Sequence, residues 1–182
     1  MTQHLVVFDV DGTLSDSQHH IHAAMTQAFE SAGVAAPDLF AVRRIVGLSL
    51  PLAMAVLAPD TLPEMQAQLV QAYKASYTNG RAVAPAPLFP GARETVLRLA
   101  ARDDLVLGIA TGKSRRGLEA LLRESGLSDV FATVQVADDH PSKPHPSMLH
   151  AAMAETGVAA TDAVMIGDTT YDIDMAHAAG IG

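Results

Sequence analysis

The 182 residues carry a formal charge of −8 and no cysteine, which excludes disulfides, a thiol nucleophile and a Cys-ligated zinc, and argues against a broad basic surface for nucleic acid. Apolar residues make up 49% of the chain and aromatic ones only 4%, with alanine, leucine and valine prominent, a balance suited to helices packed on a parallel sheet around one sizeable core or a core with a smaller insertion. There is no basic leader followed by an apolar region, and no apolar run approaches the roughly 18–20 residues of a membrane span, so a cytoplasmic protein without membrane contacts is expected.

The chain opens on Leu5-Val6-Val7-Phe8, an apolar run of strand length that ends in Asp9-Val10-Asp11-Gly12-Thr13-Leu14. An uninterrupted run reads as a parallel strand buried on both faces, and such a strand delivers reactive groups to its C-terminal edge. Ser15, Asp16 and Ser17 are cap-type residues, and Ile21, Ala24, Met25, Ala28 and Phe29 follow at helical spacing up to Gly33, predicting a helix over 16–32. Pro37-Asp38 starts a second helix through Phe40, Val42, Ile45 and Val46, closed by Gly47, and further helices are expected over 50–57 and 63–78. The stretch from Ala82 to Pro90 is too proline-dense for a helix and reads as an extended return linker. Residues 15–85 thus form an all-helical insertion, and 1–14 with 86–182 form the core.

From Gly91 helices and strands alternate: helices over 92–101, 114–125, 146–156 and 171–179, strands over 105–110, 130–136 and 163–166. Alternation with right-handed crossovers predicts an α/β fold, a doubly wound, Rossmann-like parallel sheet with its functional loops gathered at the strands' C-terminal ends. The chain stops at Ile181-Gly182 where one more strand is expected, which points to a missing C-terminal edge strand and a less protected sheet edge.

Each of those strand ends carries polar groups. Thr111-Gly112-Lys113-Ser114 sets a hydroxyl, a glycine and the free amides of a helix start in one corner, a place for an oxyanion. Ser142-Lys143-Pro144-His145-Pro146 puts a lysine between prolines near Asp138 and Asp139, and Gly167-Asp168-Thr169-Thr170-Tyr171-Asp172 ends the last strand in two acids. In this order the four stretches resemble the motifs of the haloacid dehalogenase-like hydrolases: Asp-x-Asp-Gly-Thr, a strand-end Thr or Ser, Lys-Pro, and Gly-Asp-x-x-x-Asp. The likeness covers essentially the whole chain, is nearest to the phosphoglycolate phosphatase-like branch, and makes the helical insertion look like that family's cap domain.

The resemblance implies a Mg²⁺-dependent phosphomonoester hydrolase. Asp9 would be the nucleophile and, with Asp168, a metal ligand; the main-chain carbonyl of Asp11 would be a further ligand and Asp172 would complete or orient the water shell. Asp11 would serve as general acid and then base, and its being an aspartate argues for ester hydrolysis over dehalogenation or phosphonate cleavage. Gly12, Thr111, Gly112 and Lys143 would hold the phosphoryl oxygens, Lys143 also offsetting the carboxylates. The partner implied is a small phosphorylated metabolite, 2-phosphoglycolate first, with specificity from the insertion through Arg43, Arg44 or the loop at Gly47. A sugar phosphomutase of the same family, or a catalytically idle binding or regulatory protein with the same fold, are the alternatives.

Plainer roles stand beside these. Asp9 and Asp11 could be turn formers, Lys143 and Thr111 structural, and Asp172 a helix-start acid favouring the dipole. Arg43 and Arg44 could be surface charges, Asp174 solvent-facing, and His19, His20 and His22 a solvated helix face, since they lack the i, i+4 spacing that pairs imidazoles. The phosphonate cleavers' cap lysine has one counterpart in the insertion, Lys74, and Met148, Met153, Met165 and Met175 fall at core positions.

Overall fold

The computed structural model describes residues 3–83 and 86–182. In chain order the elements are β1 (His4–Phe8), α1 (Gln18–Ser31), α2 (Leu39–Arg43), α3 (Leu50–Leu57), α4 (Pro63–Val83) and α5 (Ala92–Ala100). There follow β2 (Leu105–Thr111), α6 (Arg115–Ser125), β3 (Thr133–Val136), α7 (Ser147–Thr156), β4 (Ala163–Ile166) and α8 (Thr170–Ala179). The strands pair in parallel in the order β3-β2-β1-β4. Register sets Phe8 beside Ile109 on one side and Ile166 on the other, so the residue that follows β1 opens at the middle of the sheet's C-terminal edge.

Alternation along β1 explains its unbroken apolar run. Leu5 and Val7 face Met148, Leu149 and Ala152 of α7 and Met175 of α8; Val6 and Phe8 face Val96 of α5 and Leu118 and Leu122 of α6. Both faces are covered, so no position on the strand can be polar without cost, and each such side chain contributes about 1.5–3 kcal/mol of burial. The alternation predicted from residue 91 onward holds throughout, with β3 starting at Thr133 rather than at 130; Val130 and Phe131 pack on the same core from the preceding loop.

Helices α1 to α4 enclose a separate apolar cluster that includes Met25, Phe29, Val42, Met54 and Leu69. The chain leaves the sheet and returns to it at one place: the Asp16 amide donates to the Pro87 carbonyl and the Phe89 amide to the Leu14 carbonyl, both at 2.9 Å. Two expectations shift here. The second helix is short, ending at Arg43 instead of reaching Val46, because the chain turns to bring Ile45 inward and then passes through Gly47 at φ +95°. Helix α4 runs on through Val83, beyond Thr78 and into the expected linker, since no proline interrupts it before Pro85. Ala84 and Pro85 of that linker lie outside the described residues.

Between β2 and β3 the sheet has one tight point. A Cβ on Gly108 would lie 2.7 Å from Thr133 Cγ2, and Thr133 is buried, with its hydroxyl donating to Glu155 Oε2 at 2.6 Å. Gly108→Ala is expected to destabilise the protein by roughly 1–3 kcal/mol in urea unfolding. Adding Thr133→Ser, which removes that methyl and keeps the hydroxyl, should recover more than half of the loss; strict additivity of the two changes would show that the clash lies elsewhere.

Candidate active site

The loops after β1, β2 and β4 converge with the loop before α7. Asp9, 1% exposed, follows β1, and its amide donates to the Ile166 carbonyl at 2.9 Å, extending the β1–β4 ladder by one residue. Lys143 is fully buried beneath it, and its ammonium donates to Asp9 Oδ1 at 2.7 Å and to Asp172 Oδ1 at 2.6 Å. Asp172, also fully buried, is held from its other oxygen: Oδ2 accepts from the Thr169 amide at 3.1 Å and the Thr169 hydroxyl at 2.7 Å, a capping box on α8. A side chain at Gly167 would run into that carboxylate. Asp168 is the open member of the group and accepts from Thr13 Oγ1 at 3.1 Å. A Cβ on Gly12, whose φ is +99°, would collide with the Asp168 carboxylate, so glycine at 12 is required twice over.

The electrostatics follow from burial. Removal from water raises the Asp9 carboxyl, Lys143 opposes the rise and Asp172 adds to it, leaving Asp9 at about 6 against an ordinary 3.8. Burial alone would lower Lys143, but Asp9 and Asp172 outweigh it and hold the ammonium above its usual value. One carboxylate oxygen from each of Asp9, Asp168 and Asp172 lies within 4.8 Å of the other two. Asp9 Oδ2 is buried and has no hydrogen-bond partner among the described residues, which is costly unless a ligand completes it. Three carboxylates, one of them with an orphaned oxygen, make a hard donor set that fits a divalent cation such as Mg²⁺.

Asp11 has its own lysine. Its Oδ1 accepts from Ser17 Oγ at 2.7 Å, and Lys113 Nζ donates to Oδ1 at 2.7 Å and Oδ2 at 2.9 Å. Lys113 also donates to the Tyr77 hydroxyl at 3.3 Å and stands 5.2 Å from that ring's centroid. Burial tends to lower Lys113, yet Asp11 and Tyr77 bring it above its ordinary value. Thr111, 1% exposed, accepts from the Lys113 amide through Oγ1 at 3.2 Å, leaving its hydroxyl proton for another acceptor.

Asp9, Asp11, Thr111, Gly112 and Lys113 line a cleft of about 880 Å³ that is closed on its other side by the helical insertion. The insertion's Gly47–Ser49 loop rests on the core: a Cβ at Gly112 would sit 2.5 Å from the Gly47 carbonyl oxygen, and the Ser49 amide donates to Ser142 Oγ at 2.8 Å. Tyr171 adds a third tie, its hydroxyl donating to the Arg44 carbonyl at 3.1 Å. Of the expected specificity residues, Gly47 borders the cleft and the two arginines do not. Arg43 donates through Nε to Gln18 Oε1 at 2.9 Å beside a separate pocket of about 220 Å³ that Gly12 and Asp168 share, and Arg44 lies 5.9 Å from the Phe40 ring centroid.

Sequence reasoning missed Lys113, Ser17, Thr13 and Tyr77 as parts of the site. Ser17 reads as a helix cap, but its hydroxyl makes no cap bond and goes to Asp11 instead. A signal for Lys113 was present: it is a cation directly after a strand end in a strongly acidic chain.

Fold and site together define an α/β enzyme with a buried carboxylate, lysine and acid cluster at the sheet's C-terminal edge. The family described as haloacid dehalogenase-like hydrolase matches residues 6–182. Over 97% of its length the chain is 37% identical to the protein named "Probable phosphatase IndB" from Dickeya dadantii, of which it covers 78%. It is 33% identical, over 97% of its length, to the phosphoglycolate phosphatase of Rhodospirillum rubrum, covering 76% of that protein. A haloacid dehalogenase-like hydrolase structure from Streptococcus pneumoniae superposes with a TM-score of 0.82 at 27% identity, over 98% of this chain and 82% of that one. The chain belongs to the haloacid dehalogenase-like hydrolase family, on its phosphoglycolate phosphatase-like branch, and is a phosphatase.

The raised Asp9 carboxyl has a signature in stability. Its contribution is fully present below the unfolded value of 3.8 and is lost as pH rises through about 6. In metal-free buffer, urea unfolding from about pH 5 to about pH 7.5 should therefore cost the wild type about 1–2 kcal/mol more than Asp9→Asn. Parallel curves for the two proteins would contradict the assignment.

Proposed function

We propose that this phosphatase hydrolyses a small phosphorylated metabolite in the cytoplasm, 2-phosphoglycolate being the first candidate, with Mg²⁺ as cofactor and an aspartyl-phosphate on Asp9 as intermediate. The observation that carries the reading is the state of Asp9: one oxygen fixed by Lys143, the other buried without a partner among acids. Asp9, Asp168, Asp172 and the main-chain carbonyl of Asp11 would hold the cation. When bound, Mg²⁺ would neutralise the phosphate charge that otherwise repels a carboxylate.

The chain's own residues then divide the work. Thr111 and the amide at Gly112 orient the phosphoryl oxygens, while the Gly12 amide stays bonded to the Ser15 carbonyl at 2.9 Å, and Lys143 balances the charge around Asp9. An Asp9 carboxylate oxygen bonds to phosphorus as the ester P–O bond breaks, and Asp11 gives its proton to the departing alkoxide. Asp11, now a carboxylate, takes a proton from the water that attacks phosphorus; the Asp9–phosphorus bond breaks, releasing inorganic phosphate and restoring both aspartates. The insertion excludes bulk water from the acyl phosphate until a positioned water is used. Lys74, Arg116 and Arg123 border the cleft and are available to a second anionic group on the substrate, and the phosphoglycolate phosphatase relative supports an acid as substrate.

Inorganic phosphate release from 2-phosphoglycolate and a panel of small phosphorylated acids and sugars is the direct test. Turnover should require Mg²⁺, cease with EDTA, and fall by roughly 10³-fold or more in Asp9→Asn, as the loss of a covalent nucleophile does. No Mg²⁺-dependent release across the panel, or an Asp9→Asn variant at full rate, would overturn the reading.

A further inference from the structure

Tyr73 brings to the cleft a hydroxyl that has no protein partner. Tyr73 and Tyr77 stand one turn apart on α4 and both line the cleft, their rings stacked with centroids 5.6 Å apart and planes at 24°. The Tyr77 hydroxyl is engaged, accepting from Lys113 at 3.3 Å. The Tyr73 ring is fixed by that stack and by the insertion's apolar cluster, on which it packs. Its hydroxyl makes no hydrogen bond among the described residues and, unlike Asp9 Oδ2, is not sealed from solvent.

The state and the place of that hydroxyl suit a substrate contact. Burial raises it well above the ordinary 10.0, and Tyr77 and Asp11 add to the rise, so at neutral pH it keeps its proton and donates. Asp9 lies at the sheet edge and the insertion closes the other side of the cleft. A displacement in line from Asp9 therefore sends the alcohol of a phosphate ester toward the insertion, where Tyr73 stands. A substrate that fills the cleft displaces the water on this hydroxyl, which then needs an acceptor from the substrate itself. We propose that Tyr73 is a specificity residue whose hydroxyl donates to an oxygen of the leaving alcohol, selecting phosphate esters that carry a second oxygen, as carboxylate or hydroxyl, close to the ester. Lys74, Arg116 and Arg123 border the same cleft and favour negative charge; Tyr73 asks for an acceptor, charged or neutral. This rests on the reading of the cleft as the seat of a small phosphate ester.

Three two-carbon esters separate those demands. 2-Phosphoglycolate, 2-hydroxyethyl phosphate and ethyl phosphate differ only at the terminal carbon, which is a carboxylate, a hydroxymethyl or a methyl group. With Mg²⁺ present, Tyr73→Phe, which keeps the ring and loses the hydroxyl, should lower kcat/KM by roughly 10–100-fold for 2-phosphoglycolate and roughly 3–10-fold for 2-hydroxyethyl phosphate, as the loss of one hydrogen bond does. Ethyl phosphate should change by less than about twofold, since it offers that hydroxyl no acceptor. Differences in intrinsic leaving ability cancel when variant and wild type are compared on each ester. Melting curves verify the fold, and Tyr73→Met carries the same comparison if Tyr73→Phe does not fold. An equal loss on all three esters, or a wild type that releases phosphate from other substrates but treats 2-hydroxyethyl and ethyl phosphate alike, would overturn this inference and leave the phosphatase reading standing. A wild type inactive across the whole panel would take down the two together.

Discussion

The structure depends on one buried ammonium. Lys143 sits between Asp9 and Asp172 with no exposure to water, a placement that would be prohibitive for any of the three charges alone and is tolerable only with all of them in contact. Much of the local sequence follows from it. Asp9 is brought in by the β1–β4 ladder, Asp172 is locked by the Thr169 capping box, and residue 167 has no room for a side chain because the Asp172 carboxylate occupies it. Removing the lysine would leave two carboxylates facing each other in a dry site, so the cation is as much a folding requirement as a feature of the chemistry.

A second lysine and carboxylate pair stands two positions along the chain and answers to a different constraint. Lys113 and Asp11 are partly buried and face the cleft, where the insertion contributes Ser17 and Tyr77. The insertion is joined to the core by the paired segments at Leu14–Asp16 and Pro87–Phe89 and rests on it again through the Gly47–Ser49 loop. A body attached along one seam and resting at a second place is suited to rocking about that seam. Asp11 takes a partner, Ser17, from the insertion itself, whereas the partner of Asp9, Lys143, belongs to the core.

Much of the fold was legible because it is written in local signals. The apolar run of β1, the helix stops at glycines and the strand-end position of Asp9, Thr111 and Asp168 all follow from periodicity and punctuation. The end of α4 was misread because proline density was weighted over the proline-free residues that precede Pro85. Arg43 and Arg44 were drawn to the substrate by their charge, whereas in the structure the chain's turn after α2 directs Ile45 inward and leaves the arginines beside Gln18 and Phe40. Lys113 and Tyr77 could not be paired from sequence, since their contact spans 36 positions and depends on how the insertion docks.

Charge balance explains why such a site would call for a cation from outside the chain. Asp9, Asp168 and Asp172 bring three carboxylates within 4.8 Å, and Lys143 offsets only one of them. The upward shift of Asp9 to about 6 has burial as its largest cause and the neighbouring Asp172 as another, so the carboxylate is harder to ionise here than in water. A phosphate dianion approaching this surface would meet net negative charge. A divalent cation would reverse that, satisfying the orphaned oxygen and competing with the proton for Asp9, so that the group is ionised, and therefore nucleophilic, when the cation is present to receive the substrate.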